Sequence, residues 1–329
     1  MRFFSRILLV FLILLVISGG IAAGFVYSYV RLPGPLASQK DVVIPRGTSF
    51  DKMGILLEKE GVITHPELFT LIGYLLREGT IKAGEYRFPA AITPEAALRL
   101  LESGKVVYRH LTLPEGYNLY QALQLVDQAE GLTGNLPEKI EEGSLFPDTY
   151  NFSYGDTKSS FIKRMEDKQQ EILKLLRAKY PQKEGAIIEP RQVLTLASIV
   201  EKETGVPEER QRIAGLFLNR LRIGMKLQSD PTTIYALTGG KGALNRPLLH
   251  EDMAVQSPYN TYVAEGLPPG PICNPGRAAL EAVLAPEQTD ALYFVADGTG
   301  GHRFAHTLQE HNHNVARYRM KLRKQVESR

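Results

Sequence analysis

Two carboxyl groups, Glu201 and Glu203, end an apolar run that reads LASIVEKETG from Leu196 to Gly205. A carboxyl group held beside apolar surface has a raised pKa, because burial disfavours its charged form. Such a group keeps its proton near neutral pH and can act as a general acid in the cleavage of a glycosidic bond. The residue types in this segment therefore suit a general acid, a role that glycosidic bond cleavage requires.

The apolar residues before these acids follow the period of an α-helix. Glu203 extends their stripe on one flank, and Glu201 borders it on the other. Helix geometry favours Glu203 only slightly as the acid, so Glu201 stays as the reserve candidate. Two solvated acids at a helix end are the alternative interpretation. The stripe itself consists of Val193, Leu196, Ala197 and Val200.

Composition excludes several other classes of protein. The 39 basic and 36 acidic residues give a net charge of +3, which is too even to favour nucleic-acid binding. The single cysteine, Cys273, excludes an internal disulfide. Four histidines near the end of the sequence lack the spacing of a zinc protease motif. We therefore expect no metal and no cofactor; these histidines are His302, His306, His311 and His313.

An uncharged apolar segment near the start of the sequence, residues 7–30, is long enough to span a bilayer. A cleaved signal peptide is the alternative, because small residues follow a basic amino-terminal region. The length of the segment and its aromatic residues favour an uncleaved anchor. The basic tail of residues 1–6 predicts a cytoplasmic start and an exported body.

A linker and a small α/β unit are predicted after the anchor. Residues 31–41 are rich in proline and glycine, as linkers are. Residues 42–105 predict a strand, two amphipathic helices, a second strand and a third helix. Thr93 is predicted to cap the third helix and Gly104 to end it.

The second predicted domain, residues 106–329, contains several helices and an apolar strand. Helices are predicted at residues 160–180, 191–204, 208–222, 277–284 and 312–324, and a strand at 292–296. A segment rich in proline and glycine occupies 266–276. The pairs Asp230-Pro231 and Ser257-Pro258 are typical turn signals.

Several uncommon strings occur together in this sequence. They include KAGEYRF (82–88), LFPDTY (145–150), LASIVEKETG (196–205), LFLNRLRIGMKLQSDPTTIYAL (216–237), SPYNTYVAEGLPPGPICNPG (257–276) and YFVADGTGGHRF (293–304). In this order they resemble the motifs of the YceG-like family of endolytic murein transglycosylases. The resemblance covers nearly the whole chain.

The resemblance implies a fold and a location. The implied fold class is α+β, with an N-terminal transmembrane helix, a LysM-like βααβ subdomain and a mixed α/β catalytic domain. The implied location is the bacterial inner membrane, crossed once, with the carboxyl-terminal body on the periplasmic side. The expected divisions are a cytoplasmic tail at 1–6, an anchor at 7–30, a linker at 31–41, the LysM-like subdomain at 42–105 and the catalytic domain at 106–329.

The resemblance also implies a reaction and a site. The expected reaction cleaves the linkage between N-acetylmuramic acid and N-acetylglucosamine in nascent glycan strands and leaves a 1,6-anhydro end. The implied catalytic residue is Glu203, acting as acid and then as base, with no second carboxylate needed to activate water. Expected contacts to the sugar come from Gln228 and Tyr262 above all, and also from Asn219, Thr232, Tyr259 and Asn260. Asp148 is a further acid to consider.

The expected partners are peptidoglycan strands, penicillin-binding synthases and the membrane itself. A non-catalytic, glycan-binding scaffold of the synthesis machinery is the alternative function. An envelope peptidase is a third hypothesis, which the lack of a zinc motif or a Ser/Lys signature disfavours.

Overall fold

The computed structural model describes residues 2–181 and 189–327. Within these ranges the chain forms eleven α-helices and six short strands. The helices are α1 (Arg2–Arg31), α2 (Phe50–Lys59), α3 (Pro66–Leu76), α4 (Pro94–Ser103), α5 (Leu119–Asp127), α6 (Lys158–Lys179), α7 (Pro190–Glu203), α8 (Arg210–Arg222), α9 (Asp230–Thr238), α10 (Arg277–Leu284) and α11 (Leu308–Glu327). The strands are β1 (Lys40–Ile44), β2 (Gly84–Phe88), β3 (Tyr108–Thr112), β4 (Thr149–Ser153), β5 (Tyr293–Ala296) and β6 (His302–Ala305).

The chain divides into two compact units. The first contains residues 1–109, 130–133 and 151–156, and the second contains the rest. The main division falls four residues after the domain boundary expected from the sequence. Strands β3 and β4 pair with each other.

Helix α1 has the length and composition of a membrane span. Its stretch from Arg6 to Arg31 is 26 residues long and strongly apolar. At 1.5 Å per residue this stretch is about 39 Å long, which exceeds the hydrocarbon thickness of a bilayer. One helix in the described part of the chain therefore qualifies as a candidate span, at the position where the sequence predicts an anchor.

The first unit has the βααβ order that the sequence predicts. Strands β1 and β2 pair antiparallel, with Lys40 opposite Phe88 and Ile44 opposite Gly84. Helices α2 and α3 connect the strands and pack on each other. Their shared core is mostly apolar because both strands and both helices direct one face inward. It includes Val42, Ile44, Leu57, Phe69, Tyr86 and Phe88.

The boundaries of α4 follow from local chemistry. Thr93 Oγ1 accepts the amide hydrogen of Ala96 at 3.2 Å, which satisfies one free donor of the first turn. Gly104 ends the helix in the left-handed conformation, with φ of 62°. Both residues act as the sequence predicts.

The second unit is built on three helices that pack against one another, α7, α8 and α10. The predicted stripe of α7 lies in this core, since Val193, Leu196, Ala197 and Val200 are fully buried. Ser198 is also fully buried, and its hydroxyl accepts the amide hydrogen of Ile272 at 3.0 Å. This bond ties α7 to the proline- and glycine-rich segment before α10.

One turn predicted from the sequence is a helix. Asp230 and Pro231 begin α9, with proline in the first turn. Proline fits there because its missing amide would have no partner within the helix. The turn interpretation of this pair is therefore wrong. Helix α11 also begins at Leu308, four residues before the predicted start.

Gly215 allows α8 to pack closely against the segment that leads to β5. A methyl group at this position would lie 2.4 Å from the carbonyl oxygen of Glu287. We expect Gly215→Ala to lower the free energy of unfolding by about 1–3 kcal/mol, because the backbone must move to admit the methyl group. The measurement is urea unfolding of the full chain in detergent. The matched control is Gly205→Ala, where the methyl group meets no atom of the described residues within 4 Å; equal losses in both variants would contradict the packing argument.

Candidate active site

Glu203 is the last residue of α7, and Thr204 follows it in an extended conformation. The apolar face of the helix is buried up to Val200, so the helix carries Glu203 from the core to the edge of a cavity. The side chain is partly buried at this point. The carboxyl group is therefore partly buried and also open to the cavity.

The cavity at Glu203 has a volume of about 330 Å³. Its wall combines charged, amide and aromatic groups with two apolar side chains. The lining residues are Glu203, Arg220, Gln228, Asp230, Tyr262, Tyr293, Phe294, Leu308 and His311. They come from α7, α8, the start of α9, the loop at 262, β5 and α11.

The pKa of Glu203 is raised from 4.5 to about 7, mainly because burial penalises the charged carboxylate. The hydroxyl of Ser229 donates to Glu203 Oε1 and opposes this rise. The negative charge of Asp230 raises the pKa further, whereas the positive charge of Arg220 lowers it. A value near 7 leaves both protonation states accessible at neutral pH.

The turn into α9 places Gln228 and Asp230 in the cavity wall and Ser229 against Glu203. Gln228 has φ of 49°, a left-handed conformation that is uncommon for residues other than glycine. Two hydrogen bonds that Thr261 accepts hold this conformation. The backbone amide of Gln228 donates to the Thr261 carbonyl oxygen at 3.1 Å, and the backbone amide of Ser229 donates to Thr261 Oγ1 at 3.0 Å. The turn therefore directs Ser229 onto Glu203 with Gln228 and Asp230 on either side.

Tyr262 and Asp230 form a pair in the cavity wall. The Tyr262 hydroxyl donates to Asp230 Oδ1 at 2.6 Å. Burial raises the pKa of Tyr262, and its bond to Asp230 adds to that rise, so the phenol stays protonated. The two residues that the sequence favoured most for sugar contact, Gln228 and Tyr262, both line the cavity that contains Glu203.

Arg220 is a buried cation at the cavity, with 5% of its surface exposed. Its guanidinium donates to the Leu292 carbonyl oxygen at 2.6 Å and to the Leu227 carbonyl oxygen at 2.7 Å. These bonds hold the charge between the start of β5 and the turn before Gln228. Burial lowers the pKa of Arg220 from its ordinary value. A guanidinium nevertheless keeps its proton in proteins.

Glu201, the reserve candidate, lies outside this cavity. Its side chain is 6% exposed, and its Oε2 accepts the amide hydrogen of Gly276 at 3.0 Å. Arg210 lies 4.0 Å from its other carboxylate oxygen. Burial raises the pKa of Glu201 as well, and these two partners oppose that rise. Its contacts connect α7 to the segment before α10 and to α8.

Three of the predicted sugar contacts are occupied in hydrogen bonds within the protein. Asn219 donates to the Thr289 carbonyl oxygen at 2.6 Å. Thr232 Oγ1 donates to the Ser229 carbonyl oxygen at 2.6 Å. Asn260 Nδ2 donates to the Val255 carbonyl oxygen at 2.8 Å. None of them lines the Glu203 cavity.

Tyr259 and Asp148 also lie outside the Glu203 cavity. The Tyr259 ring packs on Tyr235, with ring centres 4.9 Å apart. Asp148 pairs with Lys168, which lowers the pKa of the Asp148 carboxyl. An ionised, paired carboxylate is unsuited to the role of a proton donor.

Sequence patterns gave no site role to Arg220, Tyr293 or His311. His311 stacks on Tyr293 at 5.3 Å between ring centres, and burial lowers its pKa. Its Nδ1 atom is buried and has no hydrogen-bond partner among the described residues. The string YFVADGTGGHRF pointed to this region, but no spacing in it indicates that α11 brings His311 to Glu203.

A second carboxyl group with a high pKa is Glu142. Burial raises its pKa to about 7, while the Tyr235 hydroxyl and the Leu119 amide oppose the rise by donating to it. Glu142 does not line the cavity at Glu203. Among the described residues, a carboxyl titration near pH 7 therefore has at least two sources, Glu203 and Glu142.

The sequence matches the model of the YceG-like family over residues 42–317. The chain belongs to the YceG-like family. A Streptococcus pneumoniae protein (strain ATCC BAA-255 / R6) named endolytic murein transglycosylase is 34% identical to this YceG-like chain, over 94% of the chain and 64% of its own length. A Bacillus subtilis (strain 168) protein of the same name is 31% identical, over 84% of each sequence.

A solved structure of a yceG-like protein from Listeria monocytogenes is also similar. It is 31% identical, with a TM-score of 0.52, and the match covers 84% of this chain and 98% of that one. The chain spans about two thirds of the Streptococcus relative's length, 64%. The similarity thus includes both the βααβ unit and the helices that carry the Glu203 cavity.

The raised pKa of Glu203 links this carboxyl group to stability. Glu203 binds its proton more tightly in the folded protein than in the unfolded chain, so its favourable contribution is complete below pH 4.5 and is lost as pH rises through 7. Replacement by the neutral amide in Glu203→Gln removes this loss. We expect the difference in unfolding free energy, variant minus wild type, to rise by up to about 3 kcal/mol from acid to mildly alkaline pH.

Urea unfolding of both proteins across this pH range measures the difference. Glu310→Gln serves as a control of opposite sign, because amides of His306 and Thr307 lower the pKa of Glu310. That variant should lose stability relative to the wild type as pH rises. A constant difference between Glu203→Gln and the wild type would show that Glu203 ionises normally in the folded state.

Proposed function

We propose that this protein is an endolytic murein transglycosylase in which Glu203 acts first as a general acid and then as a general base. The family membership and the names of the relatives support the reaction class. The observation that carries the residue assignment is a carboxyl group with a pKa of about 7 in a polar and aromatic cavity. The substrate we propose is the glycan strand of peptidoglycan, cut within the strand.

In the first step the protonated Glu203 donates to the oxygen that links N-acetylmuramic acid to N-acetylglucosamine. The bond between that oxygen and C1 of the muramic acid breaks. The carboxylate that results is stabilised by the hydroxyl of Ser229 and by the charge of Arg220. Both groups are held in place before the reaction, so little rearrangement is needed as charge develops.

In the second step the same carboxylate removes the proton from the C6 hydroxyl of the muramic acid, whose oxygen bonds to C1. The product has a 1,6-anhydro end, and the acid is restored. Because an internal hydroxyl is the nucleophile, no second carboxylate is required to activate water. The carboxylate of Asp230 accepts a hydrogen bond from the Tyr262 hydroxyl, and the scheme assigns it no role in activating water.

The remaining cavity residues have chemistry suited to a sugar. The side-chain amide of Gln228 can bond hydroxyl or acetamido groups, while Tyr262, Tyr293 and the His311 ring offer flat ring surface. We propose contact roles for Gln228, Tyr262 and His311. Asn219, Thr232 and Asn260 would then act indirectly, by holding the surrounding chain, and Tyr259 through its packing on Tyr235.

We propose that α1 anchors the protein in the bacterial inner membrane with the body on the periplasmic side, close to newly made strands. The βααβ unit would assist glycan docking as a LysM-like module. Penicillin-binding synthases are the proposed protein partners, because they supply the uncrosslinked strands. Support for this arrangement comes from the apolar length of α1 and the basic residues Arg2 and Arg6 at its start.

Removal of the acid tests the assignment directly. We expect Glu203→Gln to lower the release of anhydro-ended fragments by about 10²–10⁴-fold while leaving glycan binding intact, because the amide cannot donate a catalytic proton. Mass spectrometry of digested glycan strands measures the product. Glu201→Gln is the matched control on the same helix. If Glu201→Gln were inactive and Glu203→Gln active, the assignment would be reversed. A wild-type protein that binds strands without cutting them would favour the scaffold alternative.

The pH dependence of turnover identifies which carboxyl group is the acid. The wild-type kcat/KM should fall as pH rises through about 7, because the acid must be protonated in the free enzyme. Ser229→Ala removes the bond that lowers the pKa of Glu203, so the fall should move to higher pH by about one unit. Tyr235→Phe removes the corresponding bond from Glu142 and should leave the fall in place. The opposite pattern would assign the titration to Glu142.

A further inference from the structure

Helix α3 carries an exposed apolar edge near its end. Leu71 is 47% exposed, Leu75 is 71% exposed and Leu76 is 43% exposed. Leu71 and Leu75 are one helical turn apart and therefore share a face. The opposite face of α3 is buried in the core of the first unit through Phe69, Ile72 and Gly73. Adjacent exposed leucines of this kind mark a contact surface rather than a solvated helix.

The edge of α3 borders a groove that it shares with α1. The groove has a volume of about 500 Å³ and a mostly apolar lining. From α3 it includes Leu71, Ile72, Leu75 and Leu76; from α1 it includes Ala22, Ala23, Val26, Tyr27, Val30 and Arg31; and from the first turn of α4 it includes Glu95. The exposed leucines of α3 are thus continuous with the apolar surface of the candidate membrane span.

Contacts at the start of α3 fix its position along α1. The Tyr29 hydroxyl donates to the His65 carbonyl oxygen at 2.9 Å. The His65 ring lies 5.5 Å from the Tyr29 ring and 6.3 Å from the Phe25 ring, between centres. Val30 is buried in the core of the first unit. These contacts hold α3 beside the last two to three turns of α1.

This part of α1 lies at membrane depth if α1 spans a bilayer. The uncharged stretch Ile7–Val30 is about 36 Å long, and a hydrocarbon core of about 30 Å takes in about 20 of its residues. Wherever the core lies within that stretch, Ala22, Ala23 and Val26 fall inside it. The leucine edge of α3, in the same groove, is then level with lipid acyl chains.

We propose that α3 is an interfacial helix that inserts its leucine edge into the bilayer leaflet next to the soluble body. Its partner is the lipid itself, with acyl chains against Leu71, Leu75 and Leu76. Arg31 and Arg77 follow the apolar parts of α1 and α3 and suit the headgroup level. The proposal rests on α1 as a membrane span and goes beyond the proposed reaction. It fixes the first unit against the membrane surface rather than leaving it on a free tether.

Spin labels in the full chain test this proposal in vesicles of phosphatidylethanolamine and phosphatidylglycerol. Single cysteines replace Leu71, Leu75, Ile13 and Ile223, in separate variants. The native Cys273 is fully buried, and burial raises the pKa of its thiol, so it should stay unlabelled. Ile13 is the lipid reference on α1, and Ile223 is the water reference, an apolar side chain of similar exposure in the second unit. Each label's collision rates with oxygen and with a water-soluble nickel chelate are measured.

We expect the oxygen-to-nickel ratio at positions 71 and 75 to exceed that at 223 several-fold and to approach that at 13. A ratio like that at 223 would overturn the proposal, because the edge would face water. Low collision rates with both reagents would also overturn it, because the edge would then be covered by protein, such as a second copy of the chain. A water-like ratio at position 13 would show that α1 does not span the bilayer, and the proposal, which rests on that span, would be overturned. The proposed reaction at Glu203 would be unaffected.

Discussion

Burial of one carboxyl group at the end of α7 is the interaction on which the site depends. Helices α7, α8 and α10 pack into a core, and Glu203 lies at its edge, where its side chain is partly buried. Ionisation in that position costs about 3 kcal/mol relative to a solvated glutamate, from the rise of its pKa to about 7. Ser229 and Arg220 offset part of the full desolvation penalty. The balance between these opposing effects keeps the proton available at neutral pH.

The two glutamates of the motif have different surroundings although one residue separates them. Glu201 accepts the Gly276 amide and lies near Arg210, so it connects α7 to its neighbours. Among the residues that the structure describes, Ser229 is the side chain that hydrogen-bonds to Glu203, and the carboxyl group also lines the cavity. In the proposed mechanism the first glutamate holds the end of α7 in place, and the second performs the proton transfers.

Local signals in the sequence were sufficient for most of the fold. Thr93 and Gly104 delimit α4, and the apolar period of α7 predicts its buried face, because both effects depend on neighbouring residues alone. The start of α9 was missed since Asp-Pro fits a turn and a helix start equally well. The site was less accessible to sequence reasoning. The left-handed Gln228 depends on hydrogen bonds that Thr261 accepts. The position of Arg220 depends on the carbonyl oxygens of Leu292, just before β5, and of Leu227. Such contacts between distant residues leave no periodic trace in the sequence.

The most direct test of this account is the titration of the Glu203 carboxyl group itself. Carbon-13 NMR of glutamate labelled at the side-chain carboxyl would follow every such group, and the signal missing in Glu203→Gln identifies Glu203. The account predicts a midpoint at about pH 7 for that signal. A midpoint near 4.5, the value of a solvated glutamate, would contradict the claim that the fold keeps this acid protonated for catalysis.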